Sequence, residues 1–380
     1  MYSVSAYGSM ISDRVRMDAY VRALRQAVKP DSVVLDIGTG TGIFAMLACQ
    51  FGARRVYAIE PDDVIELARE AAGANGFSDR IEFIQDLSTR ATLPERADVI
   101  ISDIRGILPL FQHHLPSIID ARKRFLAPGG ILIPQRDTLW AAVVEAPELY
   151  KNVASPWDDN IYDLNLLSAR RLAINTWRKG GIKPEQVLAE PNCWATLDYA
   201  GLDGPDLNAR ISWTVLREAT AHGIGVWFDA TLIEGVSFSN SPGAPELIYG
   251  QAFFPFFKPV DLTPDDSICV TVNANLVGED YVWRWSTVTA GHSKTTKDCF
   301  DQSTFFGSPL SPMRLRKRAS DFIPSLNEQG QIDRFILSLM DQRLSLEEIA
   351  NRVLSQFPEH FASWKDALTR AGELSLKYSR

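Results

Sequence analysis

At 380 residues, 46% hydrophobic and 23% charged, the chain exceeds what one ordinary core holds and reads as two domains with a small third. A formal net charge of −8 offers no basic face for nucleic acid or an anionic membrane. The four cysteines (Cys49, Cys193, Cys269, Cys299) are too widely spaced for a disulfide framework or a zinc site, and no run of about 18 apolar residues occurs, so a soluble protein in a reducing cytoplasm is expected.

From residue 13 to about 140 helix and strand patterns alternate. RVRMDAYVRALRQAV reads as a helix, SVVLDIG as a buried strand, GIFAMLACQFG as a helix and RVYAIE as a strand. DVIELAREAAGANG is then a helix, IEFIQ and ADVIISD are strands, and LPSIIDARKRFLAPGGILIP is a helix followed by a strand. Strands separated by single helices predict a parallel, Rossmann-like sheet over residues 1–134. Residues 135–312 carry alternating, aromatic-rich runs such as GIGVWFDATLIEGVSFS, which predict an antiparallel β-barrel or sandwich with an arm- or lid-like insertion at about 150–195. Residues 313–380 return to helical periodicity, with Ser345 and Ser363 as expected N-caps, and predict a small helical or winged-helix-like module.

The segment VVLDIGTGTGIFAMLA carries the strongest chemical signal. A strand closes on Asp36, glycines follow at Gly38, Gly40 and Gly42, and a helix begins, so backbone can approach a ligand at the carboxyl end of the sheet. The dinucleotide fingerprint would want a glycine where Ile43 stands. A carboxylate just before the loop would repel a pyrophosphate but suits the ammonium and sulfonium charges of S-adenosyl-L-methionine. Glu60, about 20 residues on, is placed for the ribose hydroxyls, and Leu87 and Ser88 after the third strand for the adenine. No metal-ligand spacing is visible.

With this loop the chain resembles a class I S-adenosylmethionine-dependent methyltransferase, and more specifically is similar to the protein arginine methyltransferases, over residues 7 to 300. MISDRVRMDAYVRAL, VLDIGTGTG, GARRVYAIE, ISD and RFLAPGGILIPQRDTLWAA match in order, while NIYDLNL and FSNSPGAP correspond to the family's arm and a barrel turn. The resemblance implies that Arg16 holds the cofactor carboxylate, that Met10 lies near the transferred methyl and Tyr7 in a helix covering the site, and that an arm closes a homodimer. It also implies a substrate clamp of two glutamates nine positions apart, but Asp103 and Gln112 occupy those positions, and Leu247, Ile248 and Tyr249 stand where the family has a Thr-His-Trp loop.

One shortened acid, one amide and no histidine suit a neutral nucleophile better than a guanidinium. The residues therefore lead to methyl transfer onto a neutral N, O or C atom of a small molecule, of aromatic or indole type among others, or of a peptide, with Asp103, Gln112, His113 or His114, and Tyr7 in catalytic roles. Two alternatives stand beside that reading: arginine methylation with an altered clamp, and a scaffold that binds cofactor or peptide without turnover. FILSLMDQRLSLEEIANRV resembles small modules that recognise leader peptides, against which stands a plain packing bundle.

Overall fold

The computed structural model describes residues 3–158, 161–291 and 295–379. The chain divides into two compact units, Met1–Pro309 and Leu310–Arg380.

The first unit opens with α1 (Val4–Ser12) and α2 (Arg14–Ala27). Asp13 separates them: its carboxylate accepts from the Arg16 backbone N–H and caps α2. Helix α2 buries Arg16, Met17, Tyr20, Ala23, Leu24 and Ala27, the three-and-four spacing that places a stripe on one face. Alternation of strand and helix continues through β1 (Val33–Ile37), α3 (Ile43–Gln50), β2 (Arg55–Ile59), α4 (Ile65–Ala74), β3 (Ile81–Ile84), β4 (Ala97–Ser102), α5 (His114–Phe125) and β5 (Leu126–Ile133).

These strands form one parallel sheet in the order β3-β2-β1-β4-β5. Every residue of β1 is buried, as expected of a central strand covered on both faces. The order reverses between β1 and β4, and at such a switch point the loops leaving the two strands diverge and open a crevice at their carboxyl ends. Those two loops are the glycine segment after β1 and the segment containing Asp103 after β4.

Beyond β5 come β6 (Arg136–Val144), α6 (Pro147–Asp158), α7 (Leu167–Ala173), β7 (Arg178–Gly180), β8 (Asn192–Asp198), β9 (Leu207–Thr214), β10 (Ala219–Ile233), β11 (Val236–Ser239), β12 (Gln251–Leu262), β13 (Ser267–Val277), β14 (Asp280–Ala290) and β15 (Thr296–Ser303). They build a six-stranded sheet, β7-β12-β10-β6-β8 with β11 on β10, and a four-stranded sheet, β15-β14-β13-β9. The pairings within both are antiparallel. Strand β13 alternates buried even-numbered residues with more open odd ones, so its apolar side faces the core. One core runs from Val34, Leu35 and Ile100 of the parallel sheet to Phe228, Phe254 and Trp285 of the antiparallel ones. The expected boundary at residue 134 is thus a change of sheet within one packed body. The insertion folds as the α6–α7 pair, anchored by Tyr150, Val153 and Ile174 on Phe253. Residues 159 and 160 of the expected arm lie outside the described residues.

The second unit holds α8 (Pro312–Arg316), α9 (Glu328–Met340), α10 (Leu346–Gln356) and α11 (Trp364–Tyr378). Ile332, Ile336, Leu339, Ile349, Ala350, Val353, Ala367, Ala371 and Leu374 form its own core. Ser345 and Glu348 close a capping box at the start of α10, and Ser363 caps α11. Among the described residues this unit is helical throughout, without the strands of a winged helix.

Candidate active site

The glycine loop is shaped by what surrounds it. Gly38 and Gly40 adopt left-handed backbone, φ 72° and 53°. A Cβ on Gly38 would lie 2.2 Å from Ile104 Cγ2, and one on Gly40 2.6 Å from Tyr7 Cε1, so both conformation and space exclude a side chain. Gly42, also left-handed, begins α3. The ring of Tyr7 of α1 therefore packs against the loop at Gly40, and Ile104 brings the segment after β4 against it.

Glu60 ends β2 beside the loop, with Oε2 accepting from the Gly40 N–H at 3.0 Å and Oε1 from the Asp62 N–H at 3.1 Å. Burial pushes its carboxyl above the usual range, against the pull of those two N–H groups. Asp36 is almost fully buried: Thr39 Oγ1 donates to Oδ2 at 2.5 Å, while no well-aligned hydrogen bond reaches Oδ1. Its pKa is pushed up to about 7, first by burial and further by the Glu60 charge, with the Thr39 hydroxyl and the Ala45 N–H opposing. A buried acid with an under-satisfied oxygen next to a close-approach glycine loop fits a cationic ligand carrying a ribose, and S-adenosylmethionine meets that description. Ser88 is buried and its carbonyl accepts from Arg124, whereas Leu87 is exposed and its N–H is already given to Asp86 Oδ1 at 2.7 Å. The Leu87 N–H is thus occupied within its own turn.

The acceptor half centres on Asp103. Arg16 donates from Nε to Oδ2 at 2.6 Å and brings Nη2 to 2.5 Å from the same oxygen. Tyr249 donates its hydroxyl toward both oxygens, at 2.8 and 2.7 Å, and itself accepts from Arg16 Nε at 3.1 Å. Burial alone would raise the Asp103 pKa, but the Arg16 and Arg105 charges and the Tyr249 hydrogen bond more than offset it and hold the carboxyl below its usual range. Arg16, expected on the cofactor carboxylate, is committed here to Asp103, with Nη1 on the Met10 carbonyl at 3.0 Å.

A second arginine extends the cluster. Arg105 lies fully buried over the rings of Phe228 and Phe238, with Nε 3.4 Å from Asp103 Oδ1 and Nη1 3.2 Å from Asp137 Oδ1. Neither nitrogen is aligned for a hydrogen bond, so this pairing is chiefly one of charge. Burial pushes Asp137 up despite Arg105 and the hydrogen bond from Tyr199, whose hydroxyl donates to Oδ2 at 2.6 Å. His114 Nε2 meets the same hydroxyl at 3.1 Å. Burial first, then the Arg105 charge, lowers the His114 pKa to about 3 and keeps the ring neutral.

Two expected catalytic residues lie elsewhere. Gln112 is exposed in a left-handed turn, φ 42°, just before α5, and His113 is exposed and paired with Glu279 Oε2 at 3.0 Å. The turn swings both side chains to solvent, so the second clamp position and the proposed base are separated from Asp103. Arg105, Asp137, Tyr199 and Tyr249 were missed as site residues. Tyr249 had a signal, its place in the stretch aligned with the Thr-His-Trp loop; the other three had none.

The chain matches two family models, Ribosomal protein L11 methyltransferase (PrmA) over residues 18–149 and Arginine methyltransferase oligomerization subdomain over 135–286. It is similar to a probable protein arginine N-methyltransferase 6 of Arabidopsis thaliana, 32% identical over 64% of this chain and 56% of that protein, so it spans little more than half of that relative's length. Protein arginine N-methyltransferase 1 of Chlamydomonas reinhardtii is 30% identical over 68% of this chain and 77% of that one. The fold is shared with the Trypanosoma brucei PRMT1 enzyme-prozyme heterotetrameric complex with AdoHcy, TM-score 0.71 at 22% identity, covering 78% of this chain and 97% of that one. It is shared also with Arabidopsis thaliana protein arginine methyltransferase 10, TM-score 0.69 at 23% identity, covering 79% and 97%. The sheet order, the glycine loop and these likenesses agree, and the chain belongs to the protein arginine N-methyltransferase family of class I methyltransferases.

Proposed function

We propose that the chain uses S-adenosyl-L-methionine to methylate a guanidinium nitrogen of arginine in a protein or peptide, with a clamp reduced to a single acid. The observation that carries this reading is Asp103: a buried carboxylate kept ionised at the switch point, on the loop that touches the cofactor glycines through Ile104. The cofactor supplies an electrophilic methyl group on a sulfonium. Glu60 and the backbone of Gly38 to Gly42 would hold it, Asp36 would face its cationic end, and Tyr7 would close over the loop and exclude water. Asp103 would accept N–H bonds from the acceptor guanidinium and aim one nitrogen at the methyl. On methylation the acceptor nitrogen would have one proton to shed, and Asp103 would be the base at hand to take it.

For that to happen Arg16 must yield part of Asp103, since an acceptor guanidinium and the Arg16 guanidinium want the same oxygens. This favours a second reading, in which the acceptor is a neutral amide, hydroxyl, phenol or indole that leaves the Arg16–Asp103 pair in place. A homodimer is the proposed assembly, because Tyr162, Leu164 and Leu167 expose apolar surface between α6 and α7. No helix among the described residues is long and apolar enough to cross a membrane, and no group of side chains there could hold a metal.

The experiment is methyl transfer from labelled cofactor to arginine-containing peptides, their lysine-substituted counterparts and a panel of neutral aromatics, after calorimetry with S-adenosylhomocysteine on wild type and Glu60→Ala. Label on arginine alone supports the first reading, label on a neutral acceptor the second. Cofactor binding without transfer to any of them would leave the scaffold alternative, and absence of binding in wild type would sink all cofactor-based readings.

A further inference from the structure

The face of the antiparallel sheet turned away from Asp137 carries a cavity of about 390 Å³ lined by Trp140, Trp227, Asp229, Pro184, Pro191 and Pro242. Trp140 and Trp227 are direct cross-strand partners on β6 and β10, and Asp229 follows Trp227 by two residues, so all three project from one side. Asp137, three residues before Trp140 on an unbroken register, projects from the other side, where it meets Arg105.

The cavity is built rather than incidental. Trp140 Nε1 donates to Asp229 Oδ2 at 2.8 Å, which fixes the ring and the carboxylate together, while the other carboxylate oxygen accepts from no described residue. Gly243 turns with φ 86°, and a Cβ there would lie 2.9 Å from Pro184 Cγ, so the turn carrying Pro242 packs tightly on the segment carrying Pro184. Trp227 is only 3% exposed and lies at the base of the cavity, so the half-buried Trp140 is the indole open to a ligand. Among the described residues Asp229 is the one charged side chain lining the cavity.

The indole of Trp140 beside a half-buried carboxylate selects a cation, and a planar one best, because a guanidinium stacks on indole while its edge donates to the acid. We propose that this cavity binds an arginine side chain of the acceptor polypeptide, at a position other than the methylated one. The source of the cation rests on the proposed acceptor class; the binding does not require turnover and is tested without it.

The test follows the indole N–H resonances of the 15N-labelled full chain during titration with N-acetyl-arginine methylamide, its lysine counterpart and its neutral citrulline counterpart. Trp140→Phe assigns the Trp140 signal. The expected result is a saturating shift of that signal with the arginine compound, at least tenfold weaker in Asp229→Asn and at least tenfold weaker with citrulline. No shift, an equal response to citrulline, an unchanged response in Asp229→Asn, or equal binding of lysine would overturn the assignment. Should Asp229→Asn fail to fold, the salt dependence of the wild-type titration decides: weakening with added salt is expected, and indifference to salt overturns the proposal.

Discussion

Arg16 and Asp103, on helix α2 and the loop after β4, form a nearly solvent-free ion pair with Nη2 2.5 Å from Oδ2. Asp103 is also the charge that Arg105 approaches and that Tyr249 donates to, so one carboxylate ties together the N-terminal helix, the parallel sheet and the antiparallel sheet.

Replacing Asp103 with Asn therefore leaves the buried Arg16 without its carboxylate and Arg105 with Asp137 alone. Removing one partner of such a pair costs about 3–5 kcal/mol, and a urea titration should show a loss of that order together with loss of transfer. The pH dependence has a definite sign. A depressed folded pKa contributes stability that is complete above the ordinary carboxylate range and is lost as pH falls through the folded value. Wild type should thus lose this contribution only below pH of about 4, and the urea midpoint of Asp103→Asn should be flatter there.

Asp36 behaves in the opposite way. With its pKa pushed up to about 7, it is partly protonated in the free protein near neutrality. Its contribution to folding is fully present below the unfolded carboxylate range and declines as pH rises through 7. The α-ammonium of S-adenosylhomocysteine favours the ionised form, so this ligand should bind more tightly as pH rises from 6 to 8, with proton release at the lower end. Calorimetry in buffers of different ionisation enthalpy measures that release, and Asp36→Asn should abolish it.

The glycine loop and Glu60 were legible because their geometry is local: a strand, a turn and a helix within one stretch fix where backbone can approach a ligand. Arg105, Asp137 and Tyr199 were illegible because their meeting depends on how two sheets pack, and no spacing in the chain encodes it. Gln112 and His113 misled for a related reason. Nine residues after Asp103 matches a clamp position only if the intervening loop returns inward, and the left-handed turn at Gln112 carries it outward. Tyr249 is read in the sequence only as part of the stretch that replaces the family's Thr-His-Trp loop, whereas its own hydroxyl is the group that reaches Asp103.

Gly40→Ala should fail on two counts, a left-handed backbone and a collision with the Tyr7 ring. The backbone strain alone costs about 1 kcal/mol or more. Cofactor affinity should fall at least tenfold, and adding Tyr7→Ala should restore part of the stability, since it removes the collision and leaves the strain. A thermal melt of the two single variants and the double variant measures that coupling.

In the C-terminal unit, Ser345→Ala removes one side of a capping box at the start of α10. The fragment 310–380, which has its own core, should fold alone, and the substitution should lower its stability by about 1 kcal/mol in chemical denaturation monitored by circular dichroism.

Strand β10 places Phe228 under Arg105 on one side and Trp227 and Asp229 against the tryptophan cavity on the other. It is a party wall: the same few peptide units furnish two rooms with no insulation between them. A guest that shifts the backbone of one room rearranges the furniture of the next, and selection acting on either side is constrained by its neighbour. Natural variation at residues 227 to 229 is therefore expected to come in linked sets rather than one position at a time.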